Sequence, residues 1–170
     1  NLKRFWRRCA GSSNQQAWQK RTSQKKYEHT ERRSMQKVVL DTNILVSGIL
    51  YEAGQQAKLL RLARLGKFEV FLSLEIIAEL KGVLMRQKFN LTEKEVDLAI
   101  KELLKFCKVV IPSEKLNVVK SDPDDNTIIE AAISSRAGFI VSGDMHLLAI
   151  KKYEGVKIVN TFEFLKEILK

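Results

Sequence analysis

Four acidic side chains stand where a site could gather charge: Asp41, Glu79, Asp125 and Asp144. Asp41 ends the apolar run Val38-Val39-Leu40 and is followed by Thr42 and Asn43. Asp144 follows Phe139-Ile140-Val141 and then Ser142-Gly143. Short apolar runs of this kind read as buried strands, and in an open α/β sheet ligands bind beyond the carboxyl ends of the strands. Each aspartate also precedes a helical pattern, so either one alone reads equally well as an N-cap. The pair at corresponding places says more than its members.

Glu79 lies in Leu74-Glu75-Ile76-Ile77-Ala78-Glu79-Leu80, at the edge of the stripe made by Ile76, Leu80, Val83 and Leu84. A carboxylate there needs a partner or a cation. Glu75, one turn earlier, is a rival that spacing leaves open. The densest acidic stretch is Ser121-Asp122-Pro123-Asp124-Asp125-Asn126, a good helix start in its own right, with Asp122 as N-cap and Pro123 at the first helical position. Asp125 shares a face with Ile128, Ile129 and Ala132 and is the inward candidate. Asp122 borders the crevice, and the direction of Glu130 stays open.

If the four carboxylates converge, the cost is large, since two like charges about 4 Å apart repel by about 4 kcal/mol at an effective dielectric near 20. Oxygen-ligated divalent cations relieve it. Carboxylates and water suit Mg²⁺ or Mn²⁺, and no Cys/His set suggests zinc. Such ions activate water for in-line attack on a phosphodiester without a covalent intermediate. His146 could touch substrate, though a lone histidine in a first helical turn is more often surface.

These positions need a scaffold, and the pattern from Met35 onward supplies one. Strands are expected at Lys37–Asp41, Phe68–Leu72, Lys108–Ile111, Phe139–Ser142 and Lys157–Val159. Helical patterns are expected over Ile44–Gly66, Ser73–Lys88, Thr92–Phe106, Asp124–Ala137, Asp144–Lys151 and Thr161–Leu169, with Gly66 and Gly138 punctuating helix ends. Apolar strands alternating with helices argue for a parallel sheet covered on both faces. There is no internal repeat.

The chain carries +10 over 170 residues, unevenly: residues 1–34 hold 10 basic and 2 acidic side chains, a net +8, leaving +2 for residues 35–170. Residues 1–34 are polar and aperiodic, and are expected to be a basic, disordered or non-native arm. Arg4, Phe5, Trp6, Arg7, Arg8 and Trp18 give it a second reading as a nucleic-acid-binding arm. Residues 35–170 are then the folded domain. No apolar run is long enough to span a membrane, and the basic start lacks the apolar core of a signal peptide, so a cytoplasmic location is expected. Cys9 and Cys107 make neither a disulfide framework nor a CxxC site, and Cys107 falls on the stripe Ile100, Leu103, Leu104, Cys107, which points to packing.

From Met35 to Lys170 the chain resembles the PIN-domain nucleases. The resemblance rests on Val-Val-Leu-Asp41-Thr-Asn-Ile-Leu-Val-Ser-Gly, on Glu79 in Ile-Ile-Ala-Glu-Leu, on Asp-Pro-Asp-Asp125-Asn before a helix, and on Ile-Val-Ser-Gly-Asp144. It points closest to the branch containing toxins of toxin–antitoxin pairs. It implies a three-layer α/β/α fold with central strand order 3-2-1-4-5 and metal-dependent cleavage of RNA at an acidic Mg²⁺ or Mn²⁺ site. By motif position it also implies Asp41, Glu79, Asp125 and Asp144 as metal-binding and catalytic residues, with Asn43 and Ser142 as polar supports. A small antitoxin and self-association are further implied partners. Two other classes compete: a non-catalytic RNA- or partner-binding module of the same fold, and phosphoryl transfer through an aspartyl-phosphate on Asp41. Asn43 stands where dehalogenase-like phosphatases want a second aspartate, which argues against the latter.

Overall fold

The computed structural model describes residues 35–116, 118–119 and 125–169. Strands are β1 (Lys37–Leu40), β2 (Glu69–Ser73), β3 (Cys107–Val110), β4 (Phe139–Val141), β5 (Lys152–Tyr153) and β6 (Val156–Val159). Helices are α1 (Thr42–Leu50), α2 (Gln55–Arg64), α3 (Leu74–Leu84), α4 (Glu93–Leu103), α5 (Asp125–Ser135), α6 (Met145–Ile150) and α7 (Thr161–Ile168), with a 3₁₀ turn at Gln87–Phe89. The sheet runs β3-β2-β1-β4-β6-β5 in a three-layer α/β/α arrangement. All pairings are parallel except β5 with β6. The expected order of five strands is present, its fifth member being β6. The sequence reading missed β5, two residues returning antiparallel along the edge, too short to leave a periodic signature.

Val38, Val39, Leu40, Val70, Leu72, Ile140 and Val141 are fully buried, which explains why the strands read as unbroken apolar runs. Alternation along β1 sends neighbours to opposite faces. Lys37 reaches the Ser135 carbonyl of α5 at 3.5 Å. Phe139, in register with Val38, packs edge-on against Phe164 of α7 on the other face, and Phe164 meets Phe68 in the same way. The helix starts are locally encoded. The Ser73 hydroxyl accepts from Ile76 N–H, while Thr92 with Glu95 and Asn160 with Glu163 form reciprocal capping boxes.

The helical pattern expected over Ile44–Gly66 is two helices, broken between Tyr51 and Gly54, where Gly54 takes φ of 110°. The two helices touch at Gly48. A Cβ there would come within 2.6 Å of Leu60 Cδ1 and 3.0 Å of the Gln56 carbonyl oxygen. Gly48→Ala is therefore expected to destabilise by up to about 2 kcal/mol, since overpacking of about 1–3 kcal/mol is offset by alanine's helix preference of about 1 kcal/mol. The midpoint of urea unfolding measures it, and an unchanged or higher midpoint would show that the helices can separate freely.

Gly66 does end α2, with φ of 69°, but the left-handed residue after α5 is Arg136 (φ 53°) rather than Gly138. Ala137 N–H then closes back onto the Ala132 carbonyl. Cys107 is buried, as the first residue of β3 rather than as part of a helical stripe, and Leu104 is partly exposed at the end of α4. Burial pushes the Cys107 thiol up to about 12. No helix among the described residues is long and apolar enough to cross a membrane.

Candidate functional site

β1 and β4 are neighbours in the sheet although three strands apart in the sequence of connections, so chain direction across the sheet reverses between them. A crevice opens at such a switch, beyond the carboxyl ends of the strands. Asp41 and the Ser142–Asp144 segment leave the sheet there, joined by the Asp41 N–H donating to the Val141 carbonyl at 3.0 Å.

Asp41 is 8% exposed and caps α1, its Oδ1 accepting from Asn43 N–H at 3.3 Å. Its Oδ2 accepts a short hydrogen bond from the hydroxyl of fully buried Ser142. The same Ser142 oxygen accepts from Asp144 N–H at 2.8 Å, so one side chain sets the positions of both aspartates. Asn43 closes the mouth from the other side: its Oδ1 accepts from Gly143 N–H at 3.4 Å. Asp144 caps α6 through Oδ1, accepting from His146 N–H at 2.7 Å and Leu147 N–H at 3.4 Å. The His146 residue itself is exposed.

Glu79 comes from the middle of α3, one position before buried Leu80, and its carboxylate turns to α1, where Thr42 Oγ1 donates to Oε2 at 2.7 Å. Its rival Glu75 turns elsewhere. Glu75 is 3.8 Å from the Lys115 ammonium, which also meets Glu130 at 3.2 Å. Its own backbone N–H and the Ser73 hydroxyl hold the Glu75 carboxyl below its ordinary value.

Burial pushes the Asp41 carboxyl above its ordinary value; the Ser142 hydroxyl and Asn43 N–H pull the other way, and the charges of Glu79 and Asp144 raise it further. Asp41 is thus a desolvated carboxylate that feels two more. Asp125 is the half-buried first residue of α5. Because α5 leads into the start of β4, its first turn lies at the carboxyl edge of the sheet, the edge that holds Asp41. Asp122 and Asp124 lie outside the described residues, as does the whole of residues 1–34.

Among the described residues, no three His, Cys, Asp or Glu side chains are drawn into one ready-made metal-binding group. The donor chemistry around Asp41 nonetheless fits a hard divalent cation. Every candidate donor is oxygen, and the acidic charges acting on Asp41 are of the sign such an ion neutralises.

The sequence pattern described as PIN domain matches residues 37–146, spanning β1 to the first turn of α6. The chain belongs to the PIN-domain family. An uncharacterised protein of Methanocaldococcus jannaschii is 29% identical over 145 residues, covering 79% of this chain and 92% of that one. The PIN fold is shared with the crystal structure of VapBC2 from Rickettsia felis bound to a DNA fragment from their promoter. That similarity has a TM-score of 0.53 at 20% identity, over 73% of this chain and 98% of that one.

Three residues of this PIN domain escaped the sequence reading. Thr42 follows Asp41 in the chain and gave no periodic signal. Glu130, whose direction was open, is 3% exposed and accepts from Leu116 N–H at 2.7 Å. Asn126, four positions earlier on the same face, is 4% exposed; its Oδ1 accepts from Val118 and Val119 N–H, both at 2.8 Å, and its Nδ2 donates to the Val119 carbonyl at 3.0 Å. Two polar residues at i and i+4 on an apolar helix face were the available signal.

Proposed function

We propose that this PIN domain is a divalent-metal-dependent endoribonuclease, with residues 35–170 as the catalytic unit. Asp41, Glu79, Asp125 and Asp144 form its acidic site, Asn43 and Ser142 support it, and Asp122 stands at its border. The observation that carries the reading is Asp41, a desolvated carboxylate at the topological switch point with the charges of Glu79 and Asp144 acting on it. A buried structural aspartate would ordinarily face a basic side chain or hydrogen-bond donors alone. Mg²⁺ or Mn²⁺ held by these carboxylates would supply charge neutralisation at a phosphodiester and lower the pKa of an attacking water.

The protein's own part is preorganisation. Ser142 fixes Asp41 and, through its backbone contact, Asp144; Asn43 ties the Gly143 peptide over the end of β4; α3 brings Glu79 in from the side. With its net +2, the folded unit must meet RNA through local basic groups and bound cations. The VapBC2 likeness supports a finer reading as the toxin of a pair, with a small antitoxin over the acidic crevice.

Purified protein is expected to cut single-stranded or structured RNA with Mg²⁺ or Mn²⁺, to lose at least about 100-fold in rate with excess chelator, and to recover on metal add-back. Gel analysis of end-labelled RNA reads this out. Tight RNA binding without metal-dependent cleavage on any substrate would replace the enzyme with a binding module.

A further inference from the structure

We propose that Thr42 is a positioning residue of the acidic site, its hydroxyl holding Glu79 beside Asp41 so that a divalent cation meets a preformed pair of carboxylates. The inference rests on the metal-dependent reading above and concerns how that site is built.

The three carboxylates that interact here are not held alike. Asp41 has two donors, the Ser142 hydroxyl and Asn43 N–H; Asp144 has two, His146 N–H and Leu147 N–H. Both sit beside their strands on short side chains. Glu79 is an exposed residue on a different helix, 37 positions along the chain from Thr42, and the Thr42 hydroxyl is its one hydrogen-bond donor among the described residues. Glutamate is among the side chains with most rotamer freedom to lose. Untethered, Glu79 would spend most of its time in water away from Asp41, the more so because the two carboxylates repel.

Thr42 is well suited to prevent this. It is 3% exposed, so its hydroxyl has little access to competing water, and its backbone is fixed as the first residue of α1, directly after the capping Asp41. The 2.7 Å separation from Glu79 Oε2 is that of a charge-assisted hydrogen bond. A donor of one bond leaves the second carboxylate oxygen of Glu79 for a cation. Because Thr42 follows Asp41 in the chain, its bond ties the carboxylate that α3 brings in to the strand end that carries Asp41.

The competing role is a plain structural stitch between α1 and α3. Metal affinity separates the two. Mn²⁺ binding to wild type, Thr42→Val, Thr42→Ser, Glu79→Gln and the double variant Thr42→Val with Glu79→Gln is followed by the loss of the free-ion EPR signal, with thermal unfolding of each. Thr42→Val is expected to weaken Mn²⁺ about 10-fold with the fold intact, and Thr42→Ser to stay within about twofold of wild type. In the Glu79→Gln background Thr42→Val should weaken binding no further.

Wild-type affinity in Thr42→Val overturns the proposal, as does Thr42→Ser behaving like Thr42→Val, or an undiminished effect of Thr42→Val in the Glu79→Gln background. Thr42→Ala provides a second hydroxyl-free variant should the valine methyl not fit. A wild type that takes up no Mn²⁺ brings down the metal-dependent reading and this inference together, whereas a wild type that binds with an indifferent Thr42 brings down only the latter.

Discussion

Asp41→Asn is expected to reduce metal-dependent RNA cleavage by about 10²–10³-fold or more, the scale on which a preorganised charged or polar group contributes to catalysis, while leaving the protein folded and more stable. The substitution isolates charge. Asparagine is as good an N-cap as aspartate, so α1 keeps its start, and an amide oxygen can still accept from the Ser142 hydroxyl or Asn43 N–H. What disappears is a negative charge that is desolvated and repelled by Glu79 and Asp144. In metal-free buffer that removal should raise stability by about 1 kcal/mol, or a few degrees in Tm.

The pH dependence has a definite sign. Because the folded protein holds the Asp41 proton above the ordinary value of 3.8, the folded state binds more protons in that window, and stability is lost as pH rises through the folded value. The Asn variant lacks this loss, so its advantage over wild type should be small near pH 4 and full at pH 7. Added Mn²⁺ should reverse the order: at 100 times Kd the wild type gains about 2.7 kcal/mol, and the variant gains little. Cleavage assays and thermal unfolding with and without metal measure all three. Unchanged cleavage would remove Asp41 from the mechanism, and a variant destabilised at every pH would make its carboxylate a structural group.

The unequal legibility of this protein has physical causes. β1 and β4 could be read because a doubly covered strand must be apolar at every position, and the acids ending them stand out against Val38-Val39-Leu40 and Phe139-Ile140-Val141. The order of the main strands followed from the family resemblance. The edge strand Lys152–Tyr153 could not be read, since two residues held by a turn at Glu154 and Gly155 have no period to show. The acids of the proposed site stand out in the sequence, and the ties that hold them do not. Spacing put Glu75 and Glu79 on one side of α3 but could not say that Lys115 engages the first and Thr42 the second, because both partners come from distant parts of the chain. Asn126 and Glu130 were hidden for a different reason: their partners, the amides of Leu116, Val118 and Val119, are near in the chain but belong to backbone outside any helix or strand, which has no period to read.

Those two residues carry the largest stability effect expected here. The described residues between β3 and α5, 111–116 with 118 and 119, lie outside any helix or strand, and their backbone groups must still find partners where they are buried. Glu130 takes Leu116 N–H and the Lys115 ammonium, while Asn126, one turn nearer the start of α5, satisfies both Val118 and Val119 N–H and the Val119 carbonyl. Val119 is itself 5% exposed, so water cannot readily replace what Asn126 provides. Asn126→Ala should therefore cost about 2–4 kcal/mol, roughly 1 kcal/mol for each lost bond plus the penalty for orphaned groups. At about 2–4 °C per kcal/mol for a chain of this size, Tm should fall by roughly 5–15 °C.

Asn126→Asp keeps the two accepted bonds but turns the donated one into a contact between two acceptor oxygens at the Val119 carbonyl and buries a charge, so it should also destabilise, and less at low pH where the carboxyl is protonated. Amide hydrogen exchange gives the decisive local readout. Val118 and Val119 should exchange much faster in Asn126→Ala than in wild type, with β1 and β4 amides changing only as far as global stability requires. The consequence for the site follows from sequence adjacency: Asp125 precedes Asn126, so loosening this strap frees the start of α5 and should lower cleavage well below the new Tm. Equal protection of Val118 and Val119 in variant and wild type would mean that the strap is held by its valine side chains, and that Asn126 contributes little to placing Asp125.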